Sequence, residues 1–443
     1  MPADMPVEAH CQEDRGINAA HQLHVADVKN TVVTGLYSPD HEIQIGGKIL
    51  MNKATIKDID LKEKSVLVRV DFNVPLDSQR NVTDDTRIRA ALPTIQYLMD
   101  QGCRIILMSH LGRPEGKYEA KYSMEPVAKR LSELLHKEVK QAKDCTSQET
   151  KQMAKELKSG EILLLENTRF YPGETKNDKE LSKELAALGE VFVNDAFGAA
   201  HRAHSSTVGV AEYIPAVAGL LLEKELSVLT EALETPARPF TAIIGGAKVS
   251  DKIAVLENLV NKVDNLIIGG GMANTFLKSR GVNMADSLVE EDKLELAKAI
   301  EEKANTLGVN LLLPVDMVIA QEMNEEAQTQ VIRGDVPEGY KALDIGPASA
   351  EAFAQIIRNS ALVLWNGPMG VFEIDKFARG TEVVAKAMAE CEGKTIIGGG
   401  DSVAAVEKVG VAHSIYHIST GGGASLEFLE GKVLPGVAAL KDK

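Results

Sequence analysis

Arginine and histidine side chains recur in the first half of the chain, in or just after polar loops at a predicted strand's end or helix's start. The residues at these positions are Arg87, Arg113, Arg169 and Arg202, together with His110 and His201. Guanidinium groups pair bidentately with carboxylate and phosphate oxygens and stay charged at any working pH. A lone surface arginine is usually only a solvated charge or a weak ion pair. Their recurrence therefore predicts a site for a small ligand that carries several negative charges.

Three polar residues around one apolar segment have competing interpretations. Arg69 lies inside the segment VLVRVDF, where a structural role is favoured over ligand binding. Asp71 and Asn73 follow, and they either accept hydrogen bonds from ligand hydroxyls or form an Asx turn before Pro75. Spacing alone leaves both interpretations of this pair open.

Glycine clusters replace the arginines in the second half of the chain. Four clusters follow apolar segments and hold 11 of the 36 glycines, at 245–246, 269–271, 398–400 and 421–423. Backbone N–H groups in such turns favour phosphate, because no Cβ blocks its approach and the helix dipole is positive there. The patterns GxxxxGK[ST] and GxGxxG are not found in these clusters. The second half is therefore predicted to bind phosphate without a P-loop or a dinucleotide fingerprint.

Charged residues beside the glycines indicate how a nucleotide would be held. Lys248 and Lys252 are four residues apart, which predicts that they share one face of a helix's first turns. A cation is unfavourable at that end of a helix, so a facing phosphate would explain it. Asp401 either caps a helix or binds Mg²⁺ held mainly by nucleotide phosphates. Glu373 is a candidate acceptor for a ribose hydroxyl.

Alternating apolar and amphipathic segments must position these residues. From Met51 onward, β-branched segments such as SVLVRVDF and ALVLWNG alternate with helical stretches. Continuous apolar runs are typical of parallel strands covered by helices, so the predicted class is α/β with doubly wound sheets. Ligands of such sheets bind beyond the strand carboxyl ends. A helix predicted from Val217 to Leu233, then two prolines within 235–239, predict the boundary between two α/β halves.

Composition argues against several classes of function. The 443 residues include 49 Lys and Arg against 64 Asp and Glu, and only 4% are aromatic. The net charge of −15 gives no reason to expect a nucleic-acid partner. No apolar run approaches the roughly 20 residues that span a bilayer, so no membrane association is expected. Four cysteines without a CxxC pair predict a reducing, cytoplasmic location, with Cys103, Cys145 and Cys391 inert.

Residues 1–50 do not share the pattern of the rest. They contain four of the ten histidines, and their seven acids outnumber three bases. A transit peptide would be rich in arginine and a signal peptide would have an apolar core, and neither is present. The histidine spacing does not support a metal site. Two interpretations stay open, a disordered extension or an upstream start codon wrongly included before Met51.

From Met51 to Lys443 the sequence resembles the phosphoglycerate kinase family. RVDFNVP, SHLGRP, ENTRF, NDAFGAAHRAHSS, GGAKVSDK, WNGPMGVFE, GGGDS and TGGGAS stand in that family's order. The resemblance implies two Rossmann-like domains, each a mainly parallel sheet flanked by helices, joined by a hinge. It places 3-phosphoglycerate on residues 51–235 and the nucleotide on residues 236–425, with a tail of about 426–443 packed back on the first domain. It implies a monomer that reversibly transfers a phosphoryl group from 1,3-bisphosphoglycerate to MgADP, giving 3-phosphoglycerate and MgATP.

The resemblance also implies roles for individual residues. Its glycerate site comprises Asp71, Asn73, Arg87, His110, Leu111, Gly112, Arg113, Arg169 and Arg202. Its nucleotide site comprises Gly246, Lys248, Lys252, Asn366, Glu373, Gly399, Gly400, Asp401 and Ser402, with Asp401 on the Mg²⁺ side. Arg87, Lys252 and the backbone at Gly422 would contact the phosphoryl group as it moves.

Without the resemblance, the residue types indicate only a kinase or nucleotide-dependent transferase acting on a small polyanion. One alternative is a different α/β phosphotransferase, such as a sugar or acetate-type kinase. Another is a two-domain protein that closes on a phosphorylated metabolite without turnover, which gives no reason for Lys252 and Asp401. A coupled assay of ADP production separates these possibilities.

Overall fold

The computed structural model describes residues 52–443, and the predictions for residues 1–50 lie outside the described residues. In this part of the chain, two six-stranded parallel sheets are flanked by helices and accompanied by a small antiparallel sheet. The predicted class, α/β with two mainly parallel sheets, is confirmed.

The first large sheet is built from the first half of the described chain. Its strands are β1 (Ser65–Val70), β2 (Arg104–Met108), β3 (Val139–Gln141), β4 (Ile162–Leu164), β5 (Val191–Asp195) and β6 (Ala216–Ala218). The accompanying helices are α1 (Thr86–Asp100), α2 (Glu125–Leu135), α3 (Gln148–Lys155), α4 (Lys179–Ala186) and α5 (Leu220–Glu234). The strand order is β3-β4-β2-β1-β5-β6, so the direction of winding reverses between β1 and β5. Such a switch point opens a crevice at the strand carboxyl ends.

The second half contributes nine strands and eight helices to the described structure. The strands are β7 (Phe240–Ile244), β8 (Asn265–Ile268), β9 (Asn310–Leu312), β10 (Met317–Ala320), β11 (Gln330–Ile332), β12 (Lys341–Ile345), β13 (Leu362–Asn366), β14 (Lys394–Gly398) and β15 (His417–Ile418). The helices are α6 (Ile253–Leu259), α7 (Gly270–Ser279), α8 (Leu294–Leu307), α9 (Pro347–Arg358), α10 (Arg379–Glu390), α11 (Gly400–Val409), α12 (Gly423–Leu429) and α13 (Pro435–Ala438). The large sheet has the order β15-β14-β13-β7-β8-β9, with its switch point between β7 and β13.

Burial explains why the strands are continuous apolar runs. Every residue of β5, β7 and β13 is buried, since helices cover both faces of a parallel sheet. Trp365 is fully buried in β13 and donates its indole N–H to the Gly367 carbonyl at 2.7 Å. That bond fixes the backbone just beyond the strand, where a switch-point ligand would bind.

The helix predicted from Val217 to Leu233 starts later than the sequence indicated. Residues 216–218 instead form β6, which pairs in parallel with β5. The helix, α5, runs from Leu220 to Glu234 after Gly219. Pairing at the sheet edge outweighs helix propensity here, a tertiary effect that a periodicity argument does not contain.

Helix α5 contacts both large sheets. At its start, the Asp195 carboxylate at the end of β5 accepts a hydrogen bond from the Leu221 backbone N–H at 2.9 Å. In its middle, the fully buried Glu225 lies 2.8 Å from Nε2 of His417 in β15 and accepts from the Thr420 backbone N–H at 2.7 Å. These contacts fix the loop at residues 421–423 relative to α5.

The last residues of the chain lie against the first sheet. Asn194 in β5 donates from its side chain to the Gly436 carbonyl at 3.0 Å. The Lys441 backbone N–H donates to Ala216 in β6 at 2.9 Å, and the Lys441 carbonyl accepts from Ala54 at 2.8 Å. Both ends of the described chain therefore meet at one edge of this sheet.

Among residues 52–443, no helix combines the length and apolar character needed to cross a bilayer.

Candidate active site

The basic residues predicted from the sequence surround one cavity of about 860 Å³, here named the basic cavity. It lies beyond the carboxyl ends of β1, β2 and β5. Its lining includes Asp71, Asn73, Arg87, His110, Gly112, Arg113, Arg169, His201, Arg202, His204 and residues 421–423. Leu111 is the one predicted glycerate residue outside this lining. Its side chain is buried, and its carbonyl accepts a hydrogen bond from Asn167 at 2.7 Å.

Asp71 and Asn73 form the Asx turn that was one of the two open interpretations, and their side chains also bind other residues of the cavity wall. The Asn73 backbone N–H donates to the Asp71 carboxylate at 3.3 Å, which is the local turn. The other Asp71 oxygen accepts from Arg87 Nη1 at 2.8 Å, and the Asn73 side-chain oxygen accepts from the Gly112 N–H at 2.8 Å. The turn thus ties Arg87 and Gly112 into the cavity wall.

Most of the positive charge in the basic cavity resides on its four arginines, with the exposed Lys176 as a further cation. Arg169 is partly buried and donates to the Gly112 carbonyl at 2.8 Å, while Arg113 and Arg202 are exposed. Burial, followed by the neighbouring Arg69, holds the pKa of His110 well below its ordinary value. Burial and the same arginine lower the pKa of His204 to about 4. Both imidazoles are therefore neutral near pH 7, and the cavity attracts anions through guanidinium groups.

A second cavity, of about 570 Å³, is here named the glycine cavity. Gly246, Glu373 and Asp401 line it, as the sequence predicted for nucleotide-site residues. Sequence reasoning missed its apolar walls, which include Leu288, Met317, Leu343, Pro368 and Val371. Met317 and Leu343 belong to β10 and β12 of the antiparallel sheet, whose short strands carry no clear alternation. Its shape and apolar walls suit a flat ring next to glycine-lined backbone.

The remaining predicted nucleotide residues, apart from Lys248, meet at the second switch point. Lys252 Nζ donates to the Gly245 carbonyl at 2.7 Å and to the Asn366 carbonyl at 3.1 Å, bridging the ends of β7 and β13. The Asn366 side chain donates to Gly398 at 2.9 Å, and Ser402 Oγ accepts from the Gly367 N–H at 2.6 Å. Lys248 is exposed and lines neither cavity.

The prediction that both lysines lie in the first turns of a helix is wrong. Helix α6 begins at Ile253, so Lys252 is its N-cap residue and Lys248 lies in the preceding turn. Ser250 explains the delay, because its backbone N–H and hydroxyl both bind the Glu290 carboxylate and hold this segment away from helical geometry.

The helix-cap interpretation of Asp401 is also wrong. Gly399 is the N-cap of α11, Asp401 lies in the first turn, and no side chain caps this helix. Gly399 has φ +91°, and a Cβ there would lie 2.9 Å from the Asn366 amide nitrogen. Glycine is therefore required at this position by conformation and by close approach.

A third cavity, of about 830 Å³, brings residues from both halves together. Arg87 and Gly422 line it as well as the basic cavity, and Gly399 and Gly400 line it from the start of α11. Arg202 also reaches across, with Nη2 3.5 Å from Glu427 in α12. The predicted anion-binding and phosphate-binding elements therefore share one cleft.

The residues near Asp401 offer few protein ligands for Mg²⁺. Residues 52–443 contain no group of three or more His, Cys, Asp or Glu side chains placed to hold a metal ion. Asp401 supplies a single exposed carboxylate at the edge of the glycine cavity. Mg²⁺ commonly takes one or two protein carboxylates, with phosphate oxygens and waters as its other ligands. The residues fit an ion that arrives with a nucleotide.

The buried position of Lys252 gives a testable pH dependence. Burial lowers its pKa to about 8, against the opposing charges of Asp401 and Asp251. The free enzyme should therefore lose the Lys252 charge, and with it kcat/KM, as the pH rises through about 8. Because kcat/KM reports the free enzyme and kcat the bound complex, bound phosphate should move the kcat limb to higher pH. Initial rates measured from pH 6.5 to 10 give the pH profiles of kcat/KM and kcat. If neither value fell in this range, as for a lysine with an ordinary pKa near 10.5, the prediction would be contradicted.

Arginines on one wall and glycine-rich helix starts on the other are the features of an α/β phosphotransferase. Residues 56–432 match the protein-family model for phosphoglycerate kinase. A phosphoglycerate kinase from Moorella thermoacetica is 61% identical over 394 residues, which is 89% of this chain and 100% of that protein. The chain belongs to the phosphoglycerate kinase family.

Solved structures of this family have the same fold. The phosphoglycerate kinase from Coxiella burnetii matches with a TM-score of 0.80 and 44% identity, covering 87% of this chain and 98% of that one. The enzyme from Pyrococcus horikoshii OT3 matches with a TM-score of 0.75 and 35% identity, with the same coverage of both chains. The reaction of this chain is the family's reversible phosphoryl transfer from 1,3-bisphosphoglycerate to ADP, which gives 3-phosphoglycerate and ATP.

Proposed function

We propose that the glycerate substrate occupies the basic cavity and that MgADP or MgATP occupies the glycine cavity, with transfer across the third cavity. The observation that carries this proposal is the shared lining: Arg87 and Gly422 border both the basic cavity and the third cavity. A phosphoryl group moving between substrates would pass these two residues.

Within the basic cavity, each polar group has a proposed partner on the substrate. Arg113, Arg169 and Arg202 bind the phosphate that is not transferred, since guanidinium forks match phosphate oxygens. Asp71 and Asn73 accept from the substrate hydroxyl, and His110 and Gly112 complete the cavity wall. Leu111 contributes through its backbone, which the Asn167 side chain holds in place.

In the second half, the proposed nucleotide contacts divide into base, ribose and phosphate. The base packs on the apolar walls of the glycine cavity, and Glu373 accepts from the ribose. Gly246, Gly399, Gly400 and Ser402 approach the phosphates, while Asn366 holds the Gly398 backbone in place. Lys248 and Lys252 supply positive charge, and Asp401 holds Mg²⁺, which neutralises phosphate charge when it is bound.

The reaction needs positioning and charge neutralisation, not a covalent nucleophile on the protein. A terminal oxygen of ADP forms a bond to the phosphorus of the acyl phosphate, while the bond from phosphorus to the carboxyl oxygen breaks. Arg87, Lys252 and the Gly422 backbone N–H stabilise the charge on the phosphoryl oxygens. Since the substrates sit on different sheets, we expect a hinge closure that aligns them and excludes water.

Arg113→Ala tests the assignment of the basic cavity. This exposed arginine is proposed to bind the non-reacting phosphate, so its loss should raise the KM for 3-phosphoglycerate about tenfold with kcat within about threefold. Steady-state kinetics with each substrate varied in turn measure both values. A weakened ATP affinity with an unchanged 3-phosphoglycerate KM would mean that the two substrates are assigned to the wrong cavities.

The activity itself is tested by an assay that couples ADP production to NADH oxidation. ATP with 3-phosphoglycerate should give turnover, while acetate and sugars in its place should not. No turnover with any acceptor, together with ligand-induced compaction, would favour a binding protein instead. We further propose that the enzyme works as a cytoplasmic monomer without nucleic-acid or membrane partners. Sedimentation at several protein concentrations tests whether it is a monomer.

A further inference from the structure

Arg69 is a fully buried charge that lies directly behind the basic cavity. It occupies β1, has no solvent-exposed surface and does not line the cavity. Its Nη2 lies 3.0 Å from Nδ1 of His110, a residue that does line the cavity. Arg69 therefore has the structural role expected from the sequence, and it contacts His110, a residue proposed to touch the substrate.

The chemistry of this contact fixes where the His110 proton lies. A guanidinium group has only donors, so Nδ1 of His110 must accept in this hydrogen bond. In a neutral imidazole whose Nδ1 accepts, the proton is on Nε2. Nε2 makes no hydrogen bond to any residue between 52 and 443, which leaves it available to a ligand in the cavity.

The Arg69 guanidinium is itself held firmly in place. Its Nε donates to Ser206 Oγ at 2.9 Å, and its Nη1 donates to the Val70 carbonyl. Glu174, which is fully buried, accepts from both the hydroxyl and the backbone N–H of Ser206. Arg69 therefore cannot turn away from His110 without breaking this buried network.

Like the hydrogen bond from Arg69, the charges around His110 favour its neutral imidazole form. One carboxylate faces it, with Asp71 Oδ1 3.9 Å from Nδ1. The attraction of this carboxylate is opposed by several positive or ionisable neighbours. The groups that disfavour the imidazolium form of His110 are Arg69, Arg169, Arg87 and His204. A neutral imidazole is therefore expected throughout the range in which the enzyme works.

We propose that Arg69 is a positioning residue that holds His110 as its neutral Nε2–H tautomer, so that His110 donates a hydrogen bond to a substrate oxygen. The identity of that substrate rests on the proposed function, whereas the tautomer is a property of the ligand-free protein. An Nε2 donor selects an acceptor oxygen, such as a carboxylate or acyl oxygen, and it does so without adding charge.

The tautomer is measured by ¹⁵N NMR of the ligand-free enzyme labelled at histidine. The His110 signals are identified as those missing from His110→Gln. We expect a protonated Nε2 and an unprotonated Nδ1 from pH 5.5 to 8. A protonated Nδ1, or titration near the ordinary value of about 6.5, overturns the proposal. This measurement needs no variant at Arg69, so it stands even if such a variant does not fold.

Kinetics test what the tautomer does. The Gln amide nitrogen can replace Nε2 as a donor, whereas the shorter Asn side chain cannot reach that position. His110→Gln should keep the KM for 3-phosphoglycerate within about threefold, and His110→Asn should raise it about tenfold, as for one lost hydrogen bond. Equal KM values for the His110→Asn variant and the wild type would overturn the donor role while leaving the phosphotransferase activity in place, which the coupled assay checks separately.

Arg69→Met removes the donor while roughly keeping the size of the side chain. We expect its KM for 3-phosphoglycerate to rise about tenfold and to gain a pH dependence toward acid that the wild type lacks, since Nδ1 can then take a proton. Burial and the remaining arginines still oppose that proton, so the His110 pKa should rise without returning to its ordinary value. When Arg69→Met is combined with His110→Asn, it should raise the KM little further. Both changes remove the hydrogen bond from residue 110 to the substrate. Fully additive effects would mean that Arg69 acts only through stability.

Discussion

Replacing Arg87 with alanine should lower kcat by about 10²-fold or more, the effect expected for losing one electrostatic donor to a transition state. Arg87 lies in the first turn of α1 and is 2.8 Å from Asp71. It is partly exposed and lines the basic cavity and the third cavity, across which the phosphoryl group would move. Because the group gains contact with Arg87 only as it moves, the loss should fall on kcat more than on the KM for ATP.

Arg89→Ala is the matched control for this prediction. Arg89 lies two residues along the same helix, but it points its guanidinium at Asp85, at 2.7 Å. The Arg89→Ala variant loses the same charge from the same helix. Although Arg89 also lines the third cavity, its guanidinium is paired with Asp85, so kcat should stay within about threefold of wild type. Equal losses in the two variants would show that α1 responds to charge in general, and a near-normal kcat for Arg87→Ala would refute its assigned role.

Lys252→Ala should lower kcat by about 10²- to 10³-fold, again as for a donor that acts in the transition state. Its ammonium group bridges the carbonyls of Gly245 and Asn366 at the switch point of the second sheet. This charge is only partly exposed and is poorly screened by water, so it would stabilise a phosphoryl group more strongly than a surface lysine. Single-turnover rates with saturating substrates measure the chemical step directly.

Lys248→Ala separates binding from chemistry in the same segment. Lys248 is exposed, four residues before Lys252, and it makes no contact with the switch-point carbonyls. Its loss should raise the KM for ADP severalfold with little change in kcat, because a screened charge contributes weakly and equally before and during transfer. If Lys252→Ala showed only that pattern, Lys252 would be a binding residue without a role in the chemical step.

The regular parts of the fold could be predicted from the sequence because buried parallel strands have a strong local signature. The apolar segments SVLVRVDF and ALVLWNG, predicted to be strands, contain β1 and β13. The antiparallel strands β10 to β12 were missed, since β11 is three residues long and largely exposed. Short strands of this kind form through their neighbours, which a single-sequence pattern does not contain.

For the candidate site, the sequence predicted which residues take part better than it predicted how they are arranged. Their positions after strands predicted that His110, Arg113, Arg169 and Arg202 converge, and all four line the basic cavity. Spacing misplaced Lys248 and Lys252 on a helix, because the Ser250–Glu290 contact that delays α6 spans 40 residues. The contact between Arg69 and His110 joins β1 to the segment just after β2, so only the pairing of these strands could reveal it.

The crossing of the chain's end to the first sheet has a consequence for synthesis on the ribosome. Lys53 donates to the carbonyls of Ala438 and Leu440 and pairs with Asp442, while Asn194 needs the Gly436 carbonyl. These partners are translated after every strand of both large sheets, so the half made first stays incomplete until they emerge. The strands of the second half, β7 to β15, are all translated before these partners. Vectorial synthesis would therefore let the sheet of the second half form before the first half is complete, reversing the usual order in which domains emerge and fold.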